Sequence, residues 1–575
     1  MKKSFKLVTL AGAALALVAC SNQSSEKTSS KSSQSADLTL RETAFGSVQG
    51  VDAGKVLTWY GVPYAGDVSG ENRWIAPQDP EKWSETLDTT EPGEVAIQLS
   101  NGEVVGEENA LNLDIYRPDS EAKDLPVMVF IHGGNNQTGK STEISGASFV
   151  EDHDAIVVSV NYRLGALGFN PLQALKTGTD EENSGNYTLL DIAKSLQWVR
   201  DNIENFGGDS ANVTLAGFSA GGRDVMATLI SPTFEGLYDK AISFSGGLTL
   251  SDTAASQDVF ASAIAPLVVE DGVKSNEEEA KAWLLSDDAS VKDYLLKVDA
   301  GRLAGLMGNA SIRMSVFPHL YTDGKVIPEE GFATKDYNDV PLLNLTGSSE
   351  FSLFSLFSPT FMSAVQDGSI ATNETLASQY QFVANYGGQL YDYANVKGAN
   401  EKLTQQGYTS DIYSTEVIFG HDKAVVGDQM ALLGAFHGVF VPLLDTNSQN
   451  YASLVGEAYA SDGAQALSKT FQDYLYNFIK TGNPNGDGLT TWNPWNDKQE
   501  VLQLDATSAE ALATLTTQDD LSPATVIEAI AADTSISDVD KETMIKTVLN
   551  GRWFSYELDK AYDNLSEFDQ ANHQE

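Results

Sequence analysis

The sequence predicts an α/β fold built on a mostly parallel central sheet, with helices on both faces and helical insertions. Short, uninterrupted apolar runs rich in β-branched residues are typical of strands that are buried on both faces. Four such runs lie at residues 126–131 (PVMVFI), 155–160 (AIVVSV), 213–217 (VTLAG) and 241–245 (AISFS). Helix-like stretches at 189–205 and 223–229 precede the last two runs. Strands that alternate with helices form parallel sheets with right-handed crossovers.

The composition limits the functions that this fold can serve. The chain has 575 residues, of which 42% are hydrophobic, so it can bury a large core and is not wholly disordered. It carries 36 Lys and Arg residues against 80 Asp and Glu residues, a formal net charge of −44. Because phosphate contacts need clustered cations, this charge argues against nucleic acid as a partner and against a protein face that docks on anionic lipid.

Residues 1–19 are predicted to be a lipoprotein signal peptide. Three lysines precede the apolar run at 7–19, which is shorter than the roughly 20 residues needed to span a bilayer. The run ends in LVAC, where Cys20 is the single cysteine of the chain, and this ending resembles a bacterial lipobox. Cys20 is therefore the predicted lipidation site. The alternative is an ordinary signal peptide followed by an incidental cysteine.

The remaining chain is predicted to consist of a tether, one large domain and a tail. Residues 20–37 comprise the lipidated cysteine and a Ser-rich tether, whose lack of large apolar residues leaves nothing to offset the entropy of ordering. One large α/β domain is expected over residues 38–560, and an acidic tail is expected over residues 561–575. The expected location is extracytoplasmic, with the lipid anchoring the protein to a bacterial cell membrane.

Coarser patterns predict elements outside the central sheet. Alternating residues at 38–43 and 56–60 predict early strands. Ser275 lies three residues before Glu278, which is the spacing of a helix capping box. The region that follows is acidic and predicted to be rich in helix. It is either an insertion that covers one end of the sheet or a lid over the active site. Residues 507–560 are also predicted to be helical, with Ser522-Pro523 as an N-cap and N1 pair.

The strongest chemical motif is GFSAG at residues 217–221, which matches the G-x-S-x-G pattern. It follows an apolar strand and precedes a predicted helix, the context in which this pattern forms a sharp turn that exposes a serine. The flanking glycines are needed because a Cβ atom at either position would collide with adjacent chain. Ser219 is therefore the candidate nucleophile.

A serine hydroxyl needs a base to accept its proton and an acid to orient that base. His437 is the candidate base, because it lies between apolar flanks, precedes Gly438 and follows Ser219 in the chain; the other interpretation is a core histidine. The other five histidines lie in loops, charged connections or the tail: His132, His153, His319, His421 and His573.

The acid is expected between the serine and the histidine in the chain. Residues 340–347 (VPLLNLTG) read as a buried strand, and Glu350 follows its carboxyl end, where catalytic groups of open α/β sheets project. Glu350 is the candidate acid. Asp411 is the alternative, although its pattern is also that of a residue at a helix N-terminus.

Together these motifs resemble the type-B carboxylesterase family, which includes bacterial carboxylesterases, cholinesterases and bile-salt lipases. The resemblance runs from about residue 46 to residue 553, with the motifs in family order. The motifs are 59–65 (WYGVPYA), 159–169 (SVNYRLGALGF), 184–187 (SGNY), 206–209 (FGGD), 217–221 (GFSAG), 347–350 (GSSE), 436–438 (FHG) and 481–485 (TGNPN).

The resemblance implies an α/β-hydrolase fold, a Ser-Glu-His triad and no cofactor or metal. It assigns the nucleophile, acid and base to Ser219, Glu350 and His437. It also implies an oxyanion hole made of the backbone N–H groups of Gly134, Asn135 and Ala220. The expected function is hydrolysis of a small-molecule carboxylic ester through an acyl-enzyme. The alternatives are an amide or carbamate hydrolase, and a non-catalytic cell-surface binding module on the same fold.

Several positions depart from the family pattern. Residues 108–111 read ENAL, so the early disulfide of many members is absent. The oxyanion motif reads HGGN, and Asn135 is expected to keep its backbone donor while narrowing the pocket or bonding the substrate. Phe440 replaces an acidic residue and is expected to alter how His437 is supported.

Four phenylalanines after Glu350 either join the core or line a substrate pocket: Phe351, Phe354, Phe357 and Phe361.

The lipid-anchor hypothesis predicts the behaviour of Cys20→Ser. A diacyl anchor makes membrane attachment stable, whereas a single chain binds only marginally. We expect the variant to appear in the medium or to stay unprocessed, with the specific activity of the folded domain unchanged. Fractionation of cells with an activity assay on each fraction measures this. A variant that is cleaved normally and still pellets with membranes would assign the anchor to another segment.

Overall fold

The computed structural model describes residues 38–308 and 310–572. The predicted signal peptide, Cys20, the tether and His573 lie outside these ranges.

Within the described ranges, the strands follow one another along the whole chain. They are β1 (Leu40–Glu42), β2 (Ser47–Gln49), β3 (Val51–Asp52), β4 (Val56–Pro63), β5 (Leu87–Asp88), β6 (Gln98–Ser100), β7 (Glu103–Val105), β8 (Asn112–Pro118), β9 (Leu125–Ile131), β10 (Ile156–Val160), β11 (Gly208–Phe218), β12 (Lys240–Phe244), β13 (Leu342–Gly347), β14 (Ile412–Val417), β15 (Glu500–Ala506) and β16 (Ala511–Thr517).

The α-helices lie between and after these strands. They are α1 (Ala147–Asp152), α2 (Gly165–Gly168), α3 (Tyr187–Asn202), α4 (Ala220–Thr228), α5 (Thr253–Glu270), α6 (Glu277–Leu284), α7 (Ala289–Leu295), α8 (Ala300–Ala304), α9 (Phe351–Leu356), α10 (Met362–Gln366), α11 (Glu374–Asn395), α12 (Lys397–Gln406), α13 (Lys423–Leu433), α14 (Val441–Leu444), α15 (Ala452–Val455), α16 (Asp462–Thr481), α17 (Trp495–Lys498), α18 (Pro523–Ala532), α19 (Asp538–Met544), α20 (Tyr556–Ala561) and α21 (Glu567–Asn572).

An eleven-stranded mixed sheet forms the centre of the domain, which confirms the predicted α/β fold. Its strand order is β16-β15-β14-β13-β12-β11-β9-β10-β8-β4-β3. The strands from β10 to β15 in this order pair in parallel, and antiparallel pairs occur at both edges. Successive residues of β9 enter two different apolar cores, with Val127 and Val129 on one face and Met128 and Phe130 on the other. The predicted runs are therefore buried on both faces.

The strand order reverses beside β9, and this reversal positions the site. From β9 the chain crosses to β10 on one side, then returns to β11 on the other side. Loops at the carboxyl ends of β9 and β11 are therefore adjacent, and such a switch point leaves a crevice in open α/β sheets. The loop after β9 contains residues 132–136, and the turn after β11 contains Ser219.

The acidic region after residue 275 differs from its prediction in one cap. Asn276, and not Ser275, is the N-cap of α6, because its side chain accepts from the Glu279 N–H; the Ser275 hydroxyl bonds the Glu279 carboxylate instead. An amide oxygen competes well for an orphan helix N–H, which shifts the cap by one residue. Apolar residues of α5 to α8 join the core on one sheet face, which favours the insertion interpretation.

The C-terminal region is only partly helical, so the prediction of helix over 507–560 is wrong at its start. Strand β16 pairs antiparallel with β15 at the sheet edge, and its alternating burial reflects one solvent-facing side. The Ser522-Pro523 cap is confirmed, with Ser522 accepting from the Thr525 N–H. Beyond residue 560, α21 contacts α5, and the Asn572 side chain accepts from the Asp252 N–H.

None of the helices in the described ranges combines the length and apolar content needed to cross a bilayer.

Candidate active site

Ser219 lies at a strained turn between β11 and α4. Its φ of 57° and ψ of −114° fall outside the regions that non-glycine residues ordinarily adopt, at a cost of order 1–3 kcal/mol. Two backbone hydrogen bonds hold the turn: Ser219 N–H donates to Phe244 O (2.9 Å), and Arg223 N–H donates to Ser219 O (3.0 Å). The turn therefore fixes the serine at the carboxyl edge of the sheet.

The glycines around Ser219 are required by close backbone approaches. A Cβ atom on Gly217 would lie 2.3 Å from Gly221 O, and one on Gly221 would lie 2.2 Å from Ile131 O at the end of β9. A Cβ atom on Gly133 would meet the Ser219 Cβ at 3.0 Å. The Ser219 turn and the loop after β9 consequently touch without intervening side chains.

Glu350 and His437 meet beside this turn. Glu350 follows the carboxyl end of β13, and His437 lies in the loop between α13 and α14. The His437 Nδ1 group donates a hydrogen bond to Glu350 Oε2, and both side chains are buried. A neutral imidazole with Nδ1 as its donor has an acceptor at Nε2. That Nε2 atom is buried and has no hydrogen-bond partner in the part of the chain that the structure describes.

Three donors orient the second oxygen of Glu350. Oε1 accepts from Ser245 Oγ (2.5 Å), from Gly347 N–H (2.7 Å) and more weakly from Thr346 Oγ1 (3.4 Å). Sequence reasoning missed Ser245, although its position directly after β12, at the same sheet edge as Glu350, is a usable signal. These contacts hold the carboxylate in place, with Oε2 left to accept from His437.

Aromatic rings surround the imidazole of His437. The rings of Phe218, Phe354 and Tyr391 have centroids 4.8, 4.9 and 5.7 Å from it. Of the four phenylalanines after Glu350, Phe354 is thus at the site, while Phe351 and Phe361 are core residues and Phe357 is 46% exposed. The helical spacing alone does not separate these roles, because it does not specify which neighbours cover each ring.

Phe440 supports His437 indirectly. Its ring stacks on Phe244 with centroids 4.6 Å apart, and it packs edge-on against Phe218 at 4.9 Å. Phe218 in turn contacts the imidazole. An apolar contact therefore occupies the position where the family often has an acidic side chain.

The loop after β9 presents free backbone donors. Gly134, Asn135 and Asn136 have φ values of 87°, 57° and 56°, all in the left-handed region. The N–H groups of Gly134, Asn135 and Ala220 find no acceptor among the described residues. The Asn135 side chain is engaged by the protein at both ends, since Oδ1 accepts from Arg223 Nη2 (2.8 Å) and Nδ2 donates to Gln137 Oε1 (3.0 Å).

His132 braces this loop and takes no part in a charge pair. Burial lowers its pKa to about 4, so the ring is neutral near pH 7. The ring stacks on Tyr162 with centroids 4.3 Å apart, and the Tyr162 hydroxyl donates to His132 O (2.7 Å). These contacts fix the conformation of His132 at the start of the loop.

The remaining described histidines have other partners. His153 bonds Phe149 O and Asp473, His319 is buried against Phe169 and Phe317, and His421 bonds the hydroxyls of Ser348 and Ser349.

Asp411 lies at the wrong end of the sheet to serve as the acid. It directly precedes β14, whose Ile412 pairs with Leu342 at the start of β13, and its carbonyl accepts from Leu342 N–H (3.0 Å). Glu350 follows the opposite, carboxyl end of β13. The helix interpretation of Asp411 is also wrong, because the residues after it form a strand paired on both sides.

The described residues contain no group of three or more His, Cys, Asp or Glu side chains placed to hold a metal ion.

Comparison with known proteins decides the family. A model described as "Carboxylesterase family" matches residues 37–430. The chain belongs to the carboxylesterase family. This carboxylesterase is 30% identical over 502 residues to the para-nitrobenzyl esterase of Bacillus subtilis (strain 168), covering 81% of this chain and 94% of that protein. It is also 30% identical to mouse carboxylesterase 1D over 507 residues, covering 79% and 86% of the two chains.

A solved structure agrees with the sequence relatives. A thermophilic PNB esterase structure superposes with a TM-score of 0.66 at 27% identity, covering 84% of this chain and 98% of the other. The predicted α/β-hydrolase fold is therefore confirmed. Together with the family, these relatives identify the chain as a carboxylic ester hydrolase.

The close contact at Gly221 predicts that this carboxylesterase is sensitive to one added methyl group. In Gly221→Ala the new Cβ would lie 2.2 Å from Ile131 O and 2.5 Å from His132 O. Relief of these contacts must move the Ser219 turn. Because misplacement by about 1 Å can cost 10²-fold in rate, we expect kcat/KM for an aryl ester to fall by about that factor. Gly305→Ala is the matched control, since its Cβ meets nothing closer than 3.4 Å. Equal activities of the two variants would contradict the contact.

Proposed function

We propose that this carboxylesterase works through an acyl-enzyme, with Ser219 as nucleophile, His437 as general base and acid, and Glu350 as the orienting acid. The observation that carries the proposal is the unpartnered Nε2 of His437, whose ring is fixed by Glu350 beside the strained serine turn. When one ring nitrogen of a histidine is hydrogen-bonded to a carboxylate, the other ring nitrogen is the atom that accepts a proton.

The first half of the reaction forms the acyl-enzyme. His437 Nε2 takes the proton of the Ser219 hydroxyl as Oγ attacks the ester carbonyl carbon. The resulting imidazolium is stabilised by Glu350, whose carboxylate stays ionised. Collapse of the tetrahedral intermediate breaks the bond to the alcohol oxygen, and His437 returns its proton to that oxygen. Water then attacks the acyl-enzyme by the same steps and releases the acid.

The backbone N–H groups of Gly134, Asn135 and Ala220 stabilise the oxyanion in this proposal. They lie at the ends of β9 and β11, and none has an acceptor among the described residues. Preformed donors of this kind need no reorganisation as charge develops, and each is worth about 2.7–4 kcal/mol of barrier. The change from Gly to Asn at position 135 leaves the backbone donor in place.

The substrate in this proposal is a small-molecule ester with an apolar part. The rings of Phe218, Phe354 and Tyr391 border the proposed base and provide an apolar wall. The related Bacillus protein is named a para-nitrobenzyl esterase, which is an aryl-containing ester class. No cofactor is required, because every group in the scheme belongs to the chain.

We further propose that the enzyme is a lipoprotein on the outer face of a bacterial membrane. The support is the LVAC sequence that ends at Cys20. A lipid anchor would hold the strongly negative domain near a surface that its charge otherwise disfavours.

The proposed nucleophile predicts the effect of Ser219→Ala. We expect the wild type to hydrolyse p-nitrophenyl esters in a panel from acetate to palmitate, and the variant to lose at least about a thousandfold in kcat, as triad deletions do. Ser195→Ala is the matched control, since that buried hydroxyl bonds only the Ile192 carbonyl. A wild type that is inert on all esters and unlabelled by a fluorophosphonate would favour a binding module. Faster turnover of amides or carbamates would change the leaving-group class.

The proposed acid predicts a contrast between two carboxylates. Glu350→Gln is expected to keep the fold and to lower kcat by roughly 10³- to 10⁴-fold, because an amide holds the imidazole in the wrong tautomer. Asp411→Asn is expected to stay close to wild type, since Asp411 lies at the opposite end of the sheet. Both are measured by steady-state kinetics and thermal unfolding. Greater damage from Asp411→Asn would transfer the role to that residue.

A further inference from the structure

Helix α4 holds the loop that follows β9 through two adjacent side chains. Arg223 Nη2 donates to Asn135 Oδ1 (2.8 Å), and Asn136 Nδ2 donates to Asp224 Oδ1 (2.8 Å). Arg223 is 2% exposed, and Asp224 and Asn136 are fully buried. Ser219 is the N-cap of the same helix, so one element contacts both the serine turn and the loop with the free N–H groups.

This loop needs such support because its backbone is in a costly conformation. Residues 134–136 are three consecutive residues with positive φ, two of which carry side chains. Asparagine tolerates this region better than most residues, but isolated left-handed residues persist only where the surroundings determine them. Besides the two side-chain bonds to α4, the loop is held by backbone bonds. Gln137 N–H and Thr138 N–H donate to Gly134 O (3.0 and 3.1 Å), and Gly165 N–H donates to Asn136 O (2.7 Å).

Each of the two side chains in this contact has a second oxygen atom that is buried and lacks a partner. Asp224 Oδ2 and Asn136 Oδ1 have no hydrogen bond within the described part of the chain. No ion pair is found there for Asp224 either. An ionised carboxylate without a cation would be expensive in this fully buried position. A proton on Asp224 Oδ2 would turn that acceptor into a donor, and Asn136 Oδ1 is the buried acceptor without a partner on the side chain that Asp224 already contacts.

We propose that Asp224 is a protonated positioning residue that joins Asn136 through two hydrogen bonds, and that with Arg223 it fixes the backbone donors of residues 134 and 135. The acid O–H donates to the Asn136 amide oxygen, and the amide N–H donates to the acid carbonyl. This inference rests on the proposed function, because it assigns the held donors to the oxyanion of that reaction. Neither Arg223 nor Asp224 touches the reacting atoms.

The charges around Asp224 give the contact a pH dependence. Burial raises the pKa of Asp224 to about 7, against the opposing effects of the Asn136 bond and the Arg223 charge. Tyr162 interacts with Asp224 from another element, and burial raises the pKa of this tyrosine well above its usual value, so its hydroxyl is neutral near pH 7. Arg223 is the charged group that faces Asp224 from its own helix. Above about pH 7, loss of the Asp224 proton therefore removes one bond and leaves two opposed oxygens.

The decisive variants are Asp224→Asn and Asp224→Ala. An asparagine at this position can make both bonds to Asn136 without a titratable proton, whereas alanine makes neither. We expect Asp224→Ala to lower kcat for p-nitrophenyl butyrate by about 10- to 100-fold with KM changed less than about twofold, because an oxyanion contact acts in the transition state. Asp224→Asn should restore kcat to within about threefold of wild type.

The pH profile separates positioning from mere packing. The wild type should lose activity above about pH 7 as Asp224 ionises, and Asp224→Asn should lack this alkaline decline. Asp114→Asn is the matched control, since Asp114 is also fully buried with an unpartnered Oδ2, but its Oδ1 bonds Gly61 N–H on the other edge of the sheet. It should keep the wild-type profile.

A double-mutant cycle completes the test. If the pair acts as a unit, Asp224→Ala combined with Asn136→Ala should lose no more activity than the worse single variant. Thermal unfolding checks that each variant is folded. Asparagine as harmful as alanine, an unchanged alkaline limb in Asp224→Asn, or additive losses in the cycle would each overturn the proposal. A wild type without esterase activity would instead refute the proposed function.

Discussion

The proposed active site depends on the close approach of two strand ends, β9 and β11, at the centre of the sheet. Their parallel pairing brings the Ser219 turn within van der Waals contact of the loop after β9, and Gly133 and Gly221 supply the space. The strain at Ser219 is sustained because Phe218 before it belongs to β11 and Ala220 after it belongs to α4. The proposed nucleophile and the proposed backbone donors come from segments distant in the sequence, and the same pairing of β9 with β11 holds both.

A buried carboxylate imposes the second constraint. Glu350 is fully buried, so each of its oxygens needs donors, and the structure provides them from the ends of β12 and β13 and from the His437 loop. The chain of polar contacts continues from Thr346 to Asn395 on α11, where Asn395 Nδ2 donates to Thr346 Oγ1 (3.1 Å). The aromatic rings around His437 exclude water from this network, which strengthens its hydrogen bonds. Orientation of the imidazole is consequently a property of the whole carboxyl edge of the sheet.

The departure at Asn135 places a polar side chain against a polar residue of a neighbouring helix. In a glycine-rich loop the left-handed conformation is free of side-chain strain, whereas two asparagines bring polar groups into the interior. Arg223 and Asp224 meet those groups one turn after Ser219. The two asparagines of the loop and the two polar residues of α4 thus form one connected group of side chains. The apolar contact at Phe440 is a comparable case, in which stacked rings support His437 through Phe218.

The sequence by itself determined the α/β class, the buried strands and the residues that meet at the site, because burial periodicity and the turn around Ser219 are local properties. It misplaced the cap at Ser275 and the strand at 511–517, where an adjacent amide and a neighbouring strand compete with helix propensity. It favoured Glu350 over Asp411 as the acid, while the register of β13 and β14 shows which end of the sheet each residue occupies. Tertiary structure alone decided the contacts of Tyr391, Arg223 and Asp224. Their partners lie on other elements, and no local pattern specifies which buried polar atoms will face each other.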